Sequence, residues 1–356
     1  MQGAKVNHTR SWKRTTLIVV DVFLALIFVA LLGITIYAEV LLGSIGSLKP
    51  GSGASQEEID AYLNATDVGD DFTGEMLNGE DVVMPDGPAD IIGNGDHVIN
   101  VMLIGQDRRG NTGKGHSDAM ILVTINTKTK TLAMTSFMRD MWVKIPGKYN
   151  ERLNVAYMVG GFELLDATLK ENFGIVVDYN VEVDFKAFEK VVDILGGVDI
   201  DLTAKEAKYL NRRGNWEVDD SSAHTWTLKE GVNKLTGAQA VAYSRIRKEV
   251  DSTGDFGRTG RQRKVLAQIL EDAKTMSLTQ ILSTANSVIP LLATDMTDSQ
   301  IIAYIRELAP MLSQMKVVNQ RIPADGAYQL VSIDKKSVIK VDFKKAQELL
   351  KETIGG

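Results

Sequence analysis

One stretch constrains this chain more than any other: Leu17 to Ala38 reads LIVVDVFLALIFVALLGITIYA, about 22 residues with a single charge, Asp21. At ~1.5 Å rise per residue, roughly 20 apolar residues cross a hydrocarbon core of ~30 Å, so the run is long enough to span a bilayer. A cleaved secretory leader has a shorter apolar core and a small-x-small cleavage site. Tyr37, Glu39 and Val40 make a poor site, and the reading is an uncleaved signal anchor. Lys5, Arg10, Lys13 and Arg14 precede it with no acid among them, which assigns residues 1–16 to the cytoplasm and everything after residue 38 to the outside. Asp21 lies one turn in from that basic flank and reads as tolerated near the interface, not as an ion site.

Composition narrows the chemistry. The 356 residues hold 40 Lys and Arg against 46 Asp and Glu, a net charge of −6, too acidic for a general nucleic-acid coat. Cys is absent, which removes disulfides, thiolate metal sites and a cysteine nucleophile. The four histidines, His8, His97, His116 and His224, are too dispersed to suggest a histidine-built metal site. Residues 39–96 are rich in Gly, Ser, Asp and Glu and predict a flexible acidic tether with one short helix near Glu57 to Leu63. Residues 97–356 then suffice for a single extracellular domain with a sizeable core.

Within that domain, His97 to Ile104 is a nearly continuous apolar run ending at Gly105, as expected of a strand covered on both faces. Ala119 to Asn126 and Thr131 to Phe137 flank the polar TKTK and predict a hairpin. Further strands are expected at Tyr179 to Val183, Val198 to Leu202 and Val317 to Ile322, with another within Val331 to Val341. Helices are expected at Gly161 to Asn172, Phe185 to Leu195, Thr236 to Tyr243, Arg261 to Ala273, Leu278 to Leu292, Ser299 to Leu312 and Phe343 to Ile354. The fold class is α/β: one mixed central sheet with helices on both faces.

Three polar clusters adjoin these elements. Gly105-Gln106-Asp107-Arg108-Arg109 closes the first strand, at the kind of sheet end where ligands bind. His116-Ser117-Asp118 enters the next, so Asp107 and Asp118 are placed to converge as a hard-cation site for Mg²⁺, or Mn²⁺, or else to act as ordinary loop acids paired with Arg108 and Arg109. The third cluster joins Arg139-Asp140 to the segment from Tyr243 to Lys264, which carries seven basic residues against Glu249, Asp251 and Asp255. Arg258, Arg261 and Gln262 lie at i, i+3 and i+4 and share a helical face. Arginine forks suit phosphate oxygens, so this segment reads as an anion-binding surface. Tyr243 and Phe256 are too few aromatics for single-stranded nucleic acid, which is excluded as a partner. GNTGKG at 110–115 misses the phosphate-loop pattern at its first and last positions, and no G-x-S-x-G elbow is present.

The motifs VMLIGQDRR, HSDAMILVTIN, TSFMRDMWVKIP, RLNVAY with the GG that follows, VDFKAFEKVVDILGGVDI, L-x-G-x-Q-A-x-x-Y-x-R-x-R and D-x-x-R-x-x-R-Q occur in that order over residues 98–270, with IPADGAY further on. In this ordered set the sequence resembles the LytR-CpsA-Psr family of cell-wall glycopolymer transferases. Two departures stand out: Met138 where many members have proline, and Arg108 where a small or hydroxylated residue is usual.

The resemblance implies a membrane-anchored α/β domain at a Gram-positive cell surface. Such a domain moves a phosphoglycan, wall teichoic acid or a capsular or related polymer, from an undecaprenyl diphosphate carrier to peptidoglycan and forms a phosphodiester, with Mg²⁺ as cofactor. By position, Asp107 and Asp118 would hold the metal, and Arg109, Arg139, Arg245, Arg247, Arg258 and Gln262 would grip the diphosphate. Asp140 or Asp255 would take the hydroxyl proton, Arg261 and Asn154 would order this shell, and part of the apparent core would be a polyprenyl tunnel. Two other readings stay open: a lipid diphosphate phosphatase using the same pocket, and a non-catalytic surface receptor or regulator.

Overall fold

The computed structural model describes residues 54–66, 74–79, 82, 84–85, 87–93, 95–107, 116–212, 226–247, 250–251 and 253–354, without the side chains at 107, 116 and 118. The expected membrane span at 17–38 and Arg109 lie outside the described residues. Among the described residues no helix is long and apolar enough to cross a membrane.

Residues 48–356 form one compact unit. It contains helix α1 (Gln56–Asn64), strands β1 (Glu75–Leu77), β2 (Val98–Asp107), β3 (His116–Asn126) and β4 (Thr131–Phe137), the hairpin β5 (Trp142–Lys144) and β6 (Asn150–Arg152), and helix α2 (Leu153–Phe173). Then come β7 (Tyr179–Asp184), α3 (Phe185–Ile194), β8 (Val198–Leu202), α4 (Ala204–Leu210), β9 (Gly231–Leu235), α5 (Gly237–Arg245) and α6 (Asp255–Ala273). The chain ends with α7 (Leu278–Val288), β10 (Ala293–Thr294), α8 (Asp298–Leu312), β11 (Lys316–Ile322), the hairpin β12 (Tyr328–Ile333) and β13 (Lys336–Val341), and α9 (Phe343–Ile354).

A six-stranded sheet in the order β10-β7-β2-β3-β4-β11 forms the centre. It is mixed: β2, β3 and β4 are antiparallel neighbours, while β7 runs parallel to β2 and β11 parallel to β4. The period-2 pleat divides the apolar run of β3 between two cores. Met120 and Leu122 pack with α2 residues such as Val155, Leu165 and Leu169, whereas Ile121 and Val123 face Leu266 and Leu270 of α6 and Leu308 and Leu312 of α8. Helices therefore cover both faces. Burying each of these aliphatic side chains contributes about 1.5–3 kcal/mol.

Several expectations need correction. Val198–Leu202 is a strand, but it pairs with Gly231–Leu235 in a separate ribbon outside the central sheet. Its alternation, with Asp199 and Asp201 exposed, suits a ribbon buried on one face and not a strand covered on both. The single strand expected within Val331 to Val341 is a hairpin turning at Asp334 and Lys335, both at positive φ. Helix α6 starts six residues before the expected Arg261. Helix α2 starts at Leu153 and breaks at Gly160 and Gly161, where Gly161 has φ 61° and ψ −146°, a conformation closed to residues with a Cβ.

The described part of 39–96 is not a loose tether. Ser55 and Glu58 form a reciprocal capping box that starts α1, and Ile59 of that helix enters the main core. β1 pairs in parallel with β12, Val82 packs beside Trp142 and Val331, and Ile92 bridges to Ile175. The folded unit thus begins well before residue 97.

Candidate active site

The charge-dense end of the central sheet is assembled by the turn after β4. Met138 is buried and its N–H donates to the Ile322 carbonyl at 3.0 Å, tying the turn to β11. A proline at this position has no N–H to give, so the departure at Met138 adds a tie. Arg139 and Asp140 follow directly. Across from them, Asp255 opens α6, where a carboxylate is favoured by the helix dipole. Its carboxylate receives Arg258 Nη2 at 2.9 Å, Arg139 Nε at 3.1 Å and Arg247 Nε at 3.6 Å, and Arg139 Nε also lies 3.4 Å from Asp140 Oδ2. Among the described residues, three guanidinium groups thus converge on the Asp140 and Asp255 carboxylates, a density of guanidinium donors that suits a polyanion. Asp140 is held above the ordinary carboxylate range by burial; Arg139 opposes that shift and Asp255 adds to it.

Asp107 and Asp118 come together in the backbone. Asp107 pairs with His116, Gln106 with Ser117, and Gly105 with Ala119, so Asp118 is the extra residue of a bulge in β3. Bulges of this kind recur beside active sites and re-aim a side chain. The register sets Asp107 and Asp118 at the same end of neighbouring strands, which lie about 4.8 Å apart. Behind them, Gln106 Nε2 donates to Tyr157 Oη at 2.7 Å and Tyr157 donates to Glu182, a buried polar chain linking β2, α2 and β7. Arg245, the last residue of α5, lies over the Phe185 ring at 5.0 Å. Phe185 follows Asp184, the register partner of Gln106, so Arg245 belongs to this same end of the sheet.

Gln262 is one turn beyond Arg258, and its Oε1 is buried with no hydrogen-bond partner among the described residues. Such an atom costs about 1–3 kcal/mol unless a ligand satisfies it. Arg261 points elsewhere: its Nε reaches Glu206 Oε1 at 2.8 Å, and it also bonds Asp251 and the Ile246 carbonyl. It anchors the segment after α5 instead of facing the cluster. Asn154 accepts no role in anion binding directly; its N–H donates to the Arg139 carbonyl at 3.2 Å and its Nδ2 to Tyr62 Oη at 2.9 Å.

Two contributors were missed from sequence. Arg152 lies over the Tyr62 ring at 4.7 Å, and burial raises the Tyr62 hydroxyl while Arg152 opposes that shift. Tyr62 sits in the stretch read as a tether; the S-x-x-E box at Ser55 followed by Ile59, Tyr62 and Leu63 was the available signal. On the far face of the sheet, α7 and α8 carry apolar residues without a single fully buried one. Between them lies an apolar cavity of about 230 Å³, lined by Ile281, Tyr304, Leu308 and Leu312 among others.

This geometry has relatives. The LytR_cpsA_psr family model matches residues 61–354. The "Polyisoprenyl-teichoic acid--peptidoglycan teichoic acid transferase TagU" of Bacillus cereus is 30% identical over 290 residues, covering 80% of this chain and 87% of that protein. The crystal structure of B. subtilis TagT superposes with a TM-score of 0.57 at 28% identity, covering 78% of this chain and 97% of TagT; TagT bound to LIIa-WTA gives 0.59 at the same identity and coverage. A model match spanning most of the chain, from Tyr62's helix through the final helix, makes this protein a member of the LytR_cpsA_psr family.

Proposed function

We propose that the protein transfers a phosphoglycan from an undecaprenyl diphosphate carrier to a hydroxyl of peptidoglycan, at the outer face of the membrane in which residues 17–38 anchor it. The observation that carries this reading is the cluster of Arg139, Arg247 and Arg258 on Asp255, beside the buried Asp140. It is supported by a B. cereus relative whose name specifies teichoic acid transfer and by a similar structure that holds LIIa-WTA.

The arginines would bind the diphosphate through paired N–H donors and neutralise charge as it develops. The Asp107 and Asp118 pair suits an oxygen-seeking Mg²⁺, which uses a few carboxylates and completes its shell with water and phosphate. When bound, such an ion would neutralise phosphoryl oxygens. Asp140 is the better proton acceptor of the two acids, because Asp255 is engaged by three guanidinium groups while burial raises the basicity of Asp140. The acceptor oxygen bonds to the glycan-bearing phosphorus, its proton passes to Asp140, and the bond to the bridging oxygen breaks, releasing undecaprenyl phosphate. The apolar layer under α6 and the cavity between α7 and α8 would shelter part of the prenyl chain.

The test is to incubate the full chain with a lipid-diphosphate-linked glycan, with and without peptidoglycan. Glycan joined to peptidoglycan through a phosphodiester is the expected product. Release of free phosphoglycan to water at the same rate in both mixtures would identify a phosphatase, and no turnover with intact lipid binding would identify a receptor.

A further inference from the structure

A second concavity is lined by residues that neighbour the arginine cluster along the chain. It is an open cleft of about 720 Å³ lined by Trp142, Tyr149, Glu151, Asp334, Lys336 and Gly79, with others. Its floor is connected to the reacting groups. Trp142 stands two residues after Asp140, at the exit of the turn that Met141 N–H closes on the Met138 carbonyl. On the paired strand, Glu151 precedes Arg152, whose guanidinium covers Tyr62, while Leu63, the next residue of α1, lines the cleft.

The lining is chemically specific. Trp142 is 4% exposed, and its indole Nε1–H is buried with no hydrogen-bond partner among the described residues. A buried indole donor ordinarily finds an acceptor. Tyr149, at 42% exposure, presents an aromatic ring to the opening. Glu151 and Lys336 are both buried and paired with each other, so they offer hydrogen bonds without net charge. Gly79 lets the chain approach this wall closely: a Cβ there would lie 3.1 Å from Asp334 Oδ2 and 3.5 Å from Trp142 Cζ2. One exposed aromatic ring beside an unsatisfied donor and a neutralised ion pair fits a sugar ring bearing hydroxyl and acetamido groups, and fits a polyanion poorly.

We propose that this cleft docks the acceptor saccharide, an uncharged-to-weakly-acidic amino-sugar strand, and delivers its hydroxyl toward Asp140. The proposal rests on the transfer reading above and deepens it. The donor occupies the arginine cluster and the acceptor the Trp142 cleft, and the hairpin of β5 and β6, which pairs Trp142 with Arg152, links the two.

The experiment measures binding of peptide-free oligomers of alternating N-acetylglucosamine and N-acetylmuramic acid to the full chain by calorimetry, alongside binding of a lipid diphosphate. Gly79→Leu fills the cleft and Tyr149→Ala removes its exposed ring; each is expected to weaken the saccharide by about tenfold or more, a loss of about 1.4 kcal/mol, while lipid affinity stays within about twofold. In a transfer assay the same variants should raise the KM for acceptor at unchanged KM for donor. Trp142→Phe keeps the ring and removes only the donor, and should show the same split. Unchanged saccharide affinity in both Gly79→Leu and Tyr149→Ala overturns the docking assignment, as does binding of free stem peptide in place of the glycan. Wild-type protein that binds saccharide but not lipid diphosphate overturns the transfer reading and leaves the cleft as a saccharide site.

Discussion

Arg258 and Arg261 stand three residues apart on α6, both almost fully buried, yet they meet different partners. Arg258 meets Asp255 beside Arg139 and Arg247, so among the described residues three guanidinium groups share one carboxylate. Arg261 meets Glu206 and Asp251, two acids for one base, inside the smaller core built from α4, α5 and β8. Partner sharing separates them: one guanidinium held by two acids is a fastener, whereas several guanidinium groups gathered on one carboxylate form a binding surface. The spacing D-x-x-R-x-x-R-Q contains both and does not distinguish them.

The sharpest way to break this contrast is to remove each arginine in turn. Arg261→Ala leaves Glu206 buried without its partner, a change that costs about 3–5 kcal/mol in comparable buried pairs. Urea unfolding should show a lowered midpoint of that order, and activity should fall only in proportion to the folded fraction. Arg139→Ala should do the opposite: kcat/KM for transfer falls by about 10²–10³, as when one donor to a developing charge is deleted, while the unfolding midpoint hardly moves. If Arg139→Ala unfolds the protein and Arg261→Ala abolishes transfer in a stable fold, the assignments of fastener and binding surface are reversed.

The same contrast explains what the sequence revealed. The central strands were legible because both faces are covered, so β2, β3 and β4 read as apolar runs bounded by turn residues. That Asp107 and Asp118 fall at the same end of adjacent strands was legible because one closes an apolar run and the other opens the next, whereas the continuation of β2 through Asp107 and the bulge at Asp118 were not. The β8 and β9 ribbon was half legible: the VDIDL alternation signalled a strand, but nothing local records that its partner lies about 30 residues on, at Gly231–Leu235. The role of Arg261 was invisible because Glu206 comes from a helix with no motif of its own. The helix holding Tyr62 was legible but its packing was not: acidic and glycine-rich neighbours made it read as part of a tether, and its apolar residues at i, i+3 and i+4 find a core only in three dimensions.

Proton transfer offers a finer test, because Asp140 and Asp255 share Arg139 but differ in how many cations each meets. Burial raises the Asp140 carboxyl above its ordinary range. A base must be ionised to accept a proton, so kcat/KM should fall as pH drops through this raised value, at a higher pH than an exposed carboxylate would give. Asp140→Asn should lower the rate by about 10²-fold and remove that acid limb, the lower end of what general bases contribute. Asp255→Asn should weaken lipid binding and keep the limb. A limb that persists in Asp140→Asn and disappears in Asp255→Asn would exchange the two roles.

The smallest effect concerns the link from α1 to the arginine cluster. Tyr62 bonds Asn154, whose N–H in turn holds the Arg139 carbonyl, so α1 reaches the arginine cluster through two hydrogen bonds. Tyr62→Phe keeps the ring under Arg152 and deletes only the hydroxyl. The loss is that of one neutral hydrogen bond, about 0.5–1.5 kcal/mol, and it should appear as a severalfold lower kcat/KM with little change in the unfolding midpoint. Because the hydroxyl steadies the Asn154 side chain, whose own backbone N–H holds the Arg139 carbonyl, the loss should not depend on which glycan is carried. Asn154→Ala removes the same tie from the other side, and the double variant should be no worse than the worse single, since both cut one chain of contacts. Additive losses would mean that Tyr62 and Asn154 act separately, and that α1 packs against the arginine cluster without steadying Arg139.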